Sequence, residues 1–443
     1  MYFIPATATL TTPGIRTIGM SLAFLVMLIT EALPLTVTCW AFLALMPLLG
    51  ATESLATSLT GFSNPVVFFI LSSIGLAAAF NTVQLSKRIL VLLLRVFGRN
   101  VSSMLFAIML CNTIVSTVVS SVATCAIFMA IGLSFLELYE DEESRRRAGR
   151  AFMIGIPLTS IIGGMMTPVG SSINLLAISF LEEFTGQTIT FVQWMVVGVP
   201  LAVVTMPVAW FVIMRAYKPA EINPTLVKSF ITKLDISPQI SAPEVRVLAV
   251  TLIMLVLWIL SSWFKSINVM VVSILGCCAL FLPKIGVLQW NSFVKGINFN
   301  AFFLVGTVLC LGNAMVKNNV ADWIATLLPT VTMSPFVFVA FSVLVIFLML
   351  IVIPVAPSLV TLMASPLIFM AAGMDASAPM IMLTLGLAAS NCYLLPLDTV
   401  LLITYSTGYY SMTDLPKSTA WIQAFLVLVM AAWIPVACRL LGI

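Results

Sequence analysis

The chain has 443 residues, 61% of them apolar and 8% charged, with a mean hydropathy of +1.16. Soluble domains carry about 25% charge, so a water-soluble globule is excluded, as are a disordered, a collagenous and a disulfide-stapled chain. A net charge of +4, scattered along the sequence, does not suit nucleic acid, and the absence of histidine removes imidazole bases, haem ligands and most zinc sites. The composition is that of an all-α polytopic membrane protein of the cytoplasmic (inner) membrane, with the lipid bilayer as its solvent.

A span needs about 20 apolar residues. The candidates in chain order are 17–34, 36–50, 65–81, the charge-free 100–136, 151–183 and 191–214. After them come 245–263, 267–283, 300–316, the charge-free 323–374, 377–410 and 419–442. The first 15 residues lack the charged and apolar regions of a cleavable signal. Eight cysteines (39, 111, 125, 277, 278, 310, 392 and 438) lie in apolar runs without a CxxC spacing and read as reduced packing residues. Arg215 to Arg246 is polar, contains Lys218, Pro219, Pro224, Lys228, Lys233 and Pro238, and reads as an exposed cytoplasmic connector.

The connector divides the chain into 1–215 and 245–443, with 216–244 as the linker. The halves resemble each other at a nearly fixed offset. LALMPLLG with Pro47 is answered by ALFLPKIG with Pro283, and FSNPVVFFILSS (62–73) by INFNAFFLVGT (297–307). LSKRI (85–89) falls against VADWI (320–324), both reading as amphipathic interfacial helices, and MTPVGSSIN (166–174) falls against LLPLDTVLL (394–402). Their common order implies an internal duplication.

Charge decides its sense. Lys87, Arg88, Arg95 and Arg99 precede the 100–136 segment and Arg145, Arg146, Arg147 and Arg150 follow it, so both its ends face the cytoplasm. Polar Asn112, Thr113, Ser116, Thr117, Ser120 and Ser121 fall near its middle, as at the turn of a re-entrant hairpin. It contributes an even number of crossings, the other five segments contribute one each, and the second half must run upside down. This threading leaves four of the 20 Lys/Arg outside, Arg16, Lys265, Lys317 and Arg439, together with Glu53, Glu182, Glu183, Asp322 and Asp375.

Inverted repeats with interrupted helices are a secondary-transporter architecture, with sites where the helices break. Thr167-Pro168-Val169-Gly170-Ser171-Ser172 interrupts 151–183, and Leu395-Pro396-Leu397-Asp398-Thr399 interrupts 377–410. Proline removes a donor and glycine lets the chain turn. The freed carbonyls suit a cation, and a following helix N-terminus suits an anion. A single such feature reads as a plain proline kink; two at matching positions do not. Ser116 to Thr124 turns the first hairpin and Pro354 to Thr361 the second. Taken singly, Thr113, Thr117 and Thr124 read as back-bonded to their own helices. Glu31, before Pro34, reads as a cap or an interfacial group. Asp398 lies in a break at about mid-depth, where an isolated charge costs at least ~2.5–3.5 kcal/mol. It is neutral, paired with a cation, or a cap for the following helix.

TEALPLTVTCWAFLALMPLLG, GFSNPVVFFIL, IGGMMTPVGSSIN and LLPLDTVLLITYSTGYY together resemble the divalent anion–sodium symporters of the ion transporter superfamily, over almost all of residues 14–443. The resemblance implies a homodimer carrying di- or tricarboxylates or sulfate, in which a transport domain moves like an elevator against a fixed scaffold. Residues 101–183 and 331–410 are then the transport domain. The family carries a Ser-Asn-Thr motif at each hairpin tip and a Thr-Pro-Pro-Asn-like loop at each break. Here the first tip is Ser120-Ser121-Val122 and the first loop Gly170-Ser171-Ser172-Ile173-Asn174; the second tip is Ala356-Pro357-Ser358 and the second loop Asp398-Thr399-Val400-Leu401. The family's first sodium site maps to Ser116, Ser120, Ser121 and Gly170. Substrate contacts map to Ser120, Ser121, Ser171, Ser172, Asn174, Ser358 and Thr399.

The second tip has lost side-chain oxygens, and Asp398 stands beside it as a replacement ligand for sodium or as a proton carrier. The family's first helix is missing, which implies an outer N-terminus. The expected function is cation-coupled transport of a small dianion, di- or tricarboxylate before sulfate or an organosulfonate, by symport or exchange and without a further cofactor. An anion channel is the alternative of another class. A membrane enzyme lacks a catalytic set, having no histidine, no paired intramembrane acids and no mid-depth serine–lysine pair.

Overall fold

Caps written into the sequence start most of the long helices. Asn100 with Ser103 and Thr190 with Gln193 form capping boxes, as does Ser241 with Glu244. Asn64 caps a helix that begins with Pro65, and Ser334 caps one that begins with Pro335. Each side-chain cap satisfies a backbone donor that a helix start leaves free.

The computed structural model describes residues 10–30, 32–98, 100–234, 239–297, 299–320, 323, 333–353, 355–372, 376–395 and 398–443, and among these the regular structure is helical. The first half contains α1 (Thr12–Thr30), α2 (Leu35–Leu48), α3 (Leu55–Ser58), a 3-10 turn (Thr60–Ser63), α4 (Pro65–Thr82) and α5 (Leu85–Phe97). It continues with α6 (Val101–Ser116), α7 (Ser121–Leu136), α8 (Glu142–Gly164), a 3-10 turn (Pro168–Gly170), α9 (Ser172–Thr185) and α10 (Phe191–Tyr217). The connector carries α11 (Pro224–Lys233). The second half contains α12 (Ala242–Leu260), α13 (Val269–Ala279), α14 (Trp290–Gly296), α15 (Phe299–Lys317), α16 (Pro335–Val352), α17 (Ala356–Ala372), α18 (Ala378–Ala389), α19 (Thr399–Tyr405) and α20 (Asp414–Leu441).

Contacts between helices recur in pairs. The packing of α1 on α2 is matched by α12 on α13, and that of α2 on α15 by α13 on α4. The first hairpin, α6 and α7, packs on α8; the second, α16 and α17, packs on α18. Each hairpin's second arm then crosses to the other half: α7 meets α19, and α17 meets α9. Likewise α8 meets α19 while α18 meets α9, and α10 and α20 pack on each other.

Two groups of helices result. One holds α1 to α4 and α12 to α15; the other holds α6 to α10 and α16 to α20. The second group therefore takes in α10 and α20, which lie beyond the residue 183 and 410 limits read from the sequence. At its heart α8 is buried all round from Ala151 to Met165, and α18 from Pro379 to Ala389, the signature of a helix surrounded by protein. Gly163 makes this packing possible, because a Cβ there would strike the Thr113 backbone and lie 2.9 Å from Ser116 Cβ.

Some expectations are corrected. The connector is not simply exposed: Val227 and Phe230 of α11 are buried, and the Phe230 ring meets Phe135 edge-on at 5.3 Å. Tyr139 Oη donates to Ala220 O at 2.7 Å, and Val101 N to Glu221 Oε2 at 3.0 Å. These contacts turn an apparently solvated linker into a strap under the first hairpin. The 267–283 span shrinks to the 11 residues of α13, about 16 Å long, with turns completing its path. Cys278 is exposed rather than packed, although all eight cysteines are free. Glu31, Arg99, Pro238, Asp322, Pro354, Asp375, Pro396, Leu397 and most of VADWI lie outside the described residues.

Charges gather at two ends of the helix array. Arg88 Nε donates to Glu244 Oε1 at 2.6 Å and Nη2 to Glu244 Oε2 at 2.9 Å, tying α5 to the start of α12. Lys317 pairs with Glu53 at 3.0 Å at the opposite end, which the sequence threading assigns to the outside.

Gly163→Ala is expected to destabilise the protein by about 1–3 kcal/mol through overpacking, lowering the melting temperature in detergent. Leu428→Ala, on the exposed face of α20, should leave it unchanged. Equal melting temperatures for both variants would contradict the close approach of α6 and α8.

Candidate functional site

Breaking a helix inside a low-dielectric layer frees backbone groups that must find partners within the protein. In the first half α8 ends at Gly164 and α9 begins at Ser172. Thr167 Oγ1 bridges the gap, donating to Thr117 O of the hairpin turn at 2.6 Å and accepting from Gly170 N at 3.0 Å. Asn174 Nδ2 donates to Gly164 O at 2.9 Å and Thr167 O at 3.0 Å. From α10, Trp194 Nε1 donates to Met165 O at 3.0 Å. Ser171 caps α9 by accepting from Ile173 N at 3.3 Å.

The hairpin tip closes over this loop. The turn is 117–120, with Ser116 ending α6 and Ser121 starting α7. Ser116 Oγ lies 3.1 Å from Ser121 Oγ and donates to Ser160 O at 2.6 Å. Gly164 sits between tip and loop: a Cβ built on it would lie 2.7 Å from Ser121 Oγ and 3.2 Å from Gly170 O. Ser116, Ser121 and Gly170 therefore come together. Ser120 lies beside them, half-buried at the start of α7, with its carbonyl accepting from Thr124 N and Thr124 Oγ1. Beneath them Asn112 is fully buried and donates to Ile156 O at 2.6 Å, Thr159 Oγ1 at 3.0 Å and Ser160 Oγ at 2.8 Å.

In the second half the break starts earlier than the sequence indicated. α18 ends at Ala389, so the interruption begins at Ser390 rather than Leu395. Tyr393 Oη donates to Asn391 Oδ1 at 2.8 Å. Gln423 of α20 accepts from Tyr393 N at 2.8 Å and donates to Asn391 O at 3.0 Å. Thus α10 braces one break through Trp194, and α20 braces the other through Gln423. Asn391, Tyr393 and Gln423 were not singled out in the sequence; Ser390-Asn391 at the end of an apolar run was the available signal, since both residues favour turns.

Asp398 is the N-cap of α19, accepting from Val400 N at 2.8 Å. It also lines a cavity of about 30 Å3 with Leu350, Ile351, Ala356, Ala389, Ser390, Cys392 and Leu395. None of the ion pairs among the described residues involves it. Cys125 Sγ of the first hairpin reaches Val400 O at 3.5 Å, so the second break touches the first hairpin.

The remaining sequence-named residues divide. Ser172 and Thr399 open α9 and α19, the first half-buried and the second exposed. Asn174 is fully buried with its amide nitrogen committed to the loop, and its Oδ1 has no partner. Ser358 does not line the Asp398 cavity. It faces a separate apolar cavity lined by Phe24, Leu25, Val308 and Leu311 of α1 and α15, with its Oγ buried and unpartnered.

Two solved structures share this helical fold. MtrF of Neisseria gonorrhoeae, described among antimetabolite efflux pumps, is 13% identical, with a TM-score of 0.59 covering 98% of this chain and 95% of its own. The YdaH transporter of Alcanivorax borkumensis is 14% identical, with a TM-score of 0.58 covering 98% and 99%. The family described as the sodium:sulfate symporter transmembrane region matches residues 1–442, and the chain belongs to it. It is a multi-pass membrane transporter. A membrane protein of Cupriavidus necator is 26% identical over 345 residues, 74% of this chain and 67% of that protein. The sodium-dependent dicarboxylate transporter SdcS of Staphylococcus saprophyticus is 24% identical over 450 residues, covering 94% and 85%.

Thr167→Val removes the bridge between tip and loop. Amide hydrogen exchange at 118–121 and 170–174 should accelerate, with a stability loss of about 1 kcal/mol. Unchanged exchange at both segments would contradict the bridge.

Proposed function

We propose that the protein is a secondary active transporter of a small dianion, with di- and tricarboxylates ahead of sulfate and organosulfonates. Uptake is coupled to sodium, or to a proton where Asp398 serves as the carrier. The observation that carries this reading is the pair of braced breaks: the first hairpin tip is bonded to the first break, Ala356 of the second hairpin shares a cavity with Asp398, and buried side chains hold the backbone of both breaks. The relatedness to SdcS supports sodium and dicarboxylate, and the family description favours sulfate as the second substrate.

The first cation site uses Ser116, Ser120, Ser121 and Gly170; the Ser121 hydroxyl and the Gly170 carbonyl lie beside Gly164, and the Ser116 hydroxyl meets that of Ser121. The substrate lies nearer the tips, with Ser120, Ser121, Ser171, Ser172 and Thr399 as hydrogen-bond donors. Asn174 acts through the loop it braces. The paired helix contacts support the inverted duplication, and on the same contacts we take the moving unit as 101–217 and 335–441. It slides against the other helix group, which also forms the homodimer contact.

Asp398 occupies the place of the lost second-tip ligands. A carboxylate beside a dianion repels it unless a cation or proton intervenes. The cavity it lines has room for about one water or one ion.

Asp398→Asn keeps size and hydrogen bonding while removing the charge. It should abolish gradient-driven uptake and leave exchange of substrate across the membrane. Wild-type coupling in this variant would reduce Asp398 to a helix cap. A sodium gradient and then a pH gradient in the same assay identifies the ion. A thermal-shift screen of succinate, malate, fumarate, citrate and sulfate, with and without sodium, identifies the substrate, because a ligand that prefers the folded state raises its stability.

A further inference from the structure

The two helix groups meet along a seam, and at the end opposite the Arg88–Glu244 pair that seam is tied by polar contacts. Glu183 lies in the last turn of α9, in the group carrying the breaks, while Asn313 lies on α15 in the other group. With its amide set by its neighbours, Asn313 Nδ2 donates to both carboxylate oxygens of Glu183, at 3.1 Å to Oε2, and to Leu309 O at 3.2 Å. Its Oδ1 accepts from Thr60 Oγ1 at 3.3 Å. One residue before Asn313, Gly312 receives the Phe180 ring of α9: a Cβ there would lie 2.5 Å from Phe180 Cε1. Phe184 stacks on Phe180 at 5.7 Å. A second tie lies at the same end, where Val192 N of α10 donates to Ser262 Oγ just beyond α12 at 3.0 Å.

These contacts have an uneven chemistry. The glycine–phenylalanine fit is steric and tolerates sliding only when the ring withdraws. With Glu183 ionised, the Glu183–Asn313 contact is charge-assisted; it is half-buried and joins residues of the two groups. A hydrogen bond to an ionised group is worth more than a neutral one, yet it is remade with water when the seam opens. Such a contact favours one position of the groups without fusing them, as a reversible tie must.

We propose that Glu183 and Asn313 form a latch that holds the outer seam closed in this conformation and must release for the groups to slide. This rests on the transport reading above. Both are positioning residues: they act through the placement of α9, whose start carries Ser171 and Ser172.

The test uses the full chain with Ser262→Cys as a reporter at the neighbouring tie, labelled from outside by a membrane-impermeant maleimide, with the chain lacking the reporter as background. Asn313→Asp sets two carboxylates together and should raise the labelling rate about tenfold, the change expected from losing a charge-assisted hydrogen bond. Adding Glu183→Gln to Asn313→Asp rebuilds the pair with donor and acceptor exchanged, and labelling should return to the original rate. A rate that does not rise in Asn313→Asp, or is not restored by the exchange, overturns the latch. Labelling needs no substrate, so a failure of the transport reading would show instead as absent uptake with the labelling pattern intact.

Discussion

Backbone amides and carbonyls stranded in a membrane interior are the constraint on which the rest of this structure depends. Two helices are broken where water cannot repair them, and each unpaired group would cost several kcal/mol. The chain answers with buried side chains committed to the loop backbone. Thr167, Asn174 and Trp194 serve the first break, and Gln423 serves the second, where the Tyr393 hydroxyl holds the Asn391 side chain. Once those partners are in place, the oxygens left over are the useful ones. Ser116, Ser121 and Gly170 face one another, and Asp398 faces a small cavity.

The braces also explain the grouping of the helices. Because Trp194 and Gln423 sit on α10 and α20, those two helices belong with the breaks they hold, and they pack on each other. Arg150 and Asp414, 3.9 Å apart, and the Tyr217 hydroxyl donating to Asp414 O at 2.8 Å reinforce the same unit at its charged end. By contrast, the seam to the other helix group is made of α15 against α17 and α9, of α4 against α7 and α9 and of α10 against α12, with α5 packed on α6 and tied through Arg88 to Glu244 of α12.

Much of this was legible in the sequence, because composition and charge-free length follow directly from burial in lipid. The hairpin midpoint near Ser116–Ser121 and the break at Thr167–Ser172 were visible, since proline, glycine and clustered hydroxyls mark both. The second break was misplaced because Leu395-Pro396 carries the stronger turn signal, whereas the helix had already ended at Ser390. α11 was hidden because polar composition does not reveal that Val227 and Phe230 dock on the first hairpin. The resemblance places Ser358 at the second tip as a substrate contact, yet its side chain lines a cavity against α1 and α15. Contacts such as Glu183 with Asn313 join residues far apart in sequence, and no local pattern announces them.

The central claim is that these paired breaks form a carrier site for a small dianion and a coupling cation. Counterflow in proteoliposomes tests it most directly: vesicles loaded with unlabelled succinate, citrate or sulfate are diluted into trace labelled anion, with and without sodium. The account predicts transient accumulation of label, saturable in the anion and dependent on the cation. Flux that never accumulates label and rises linearly with concentration for every anion would contradict it.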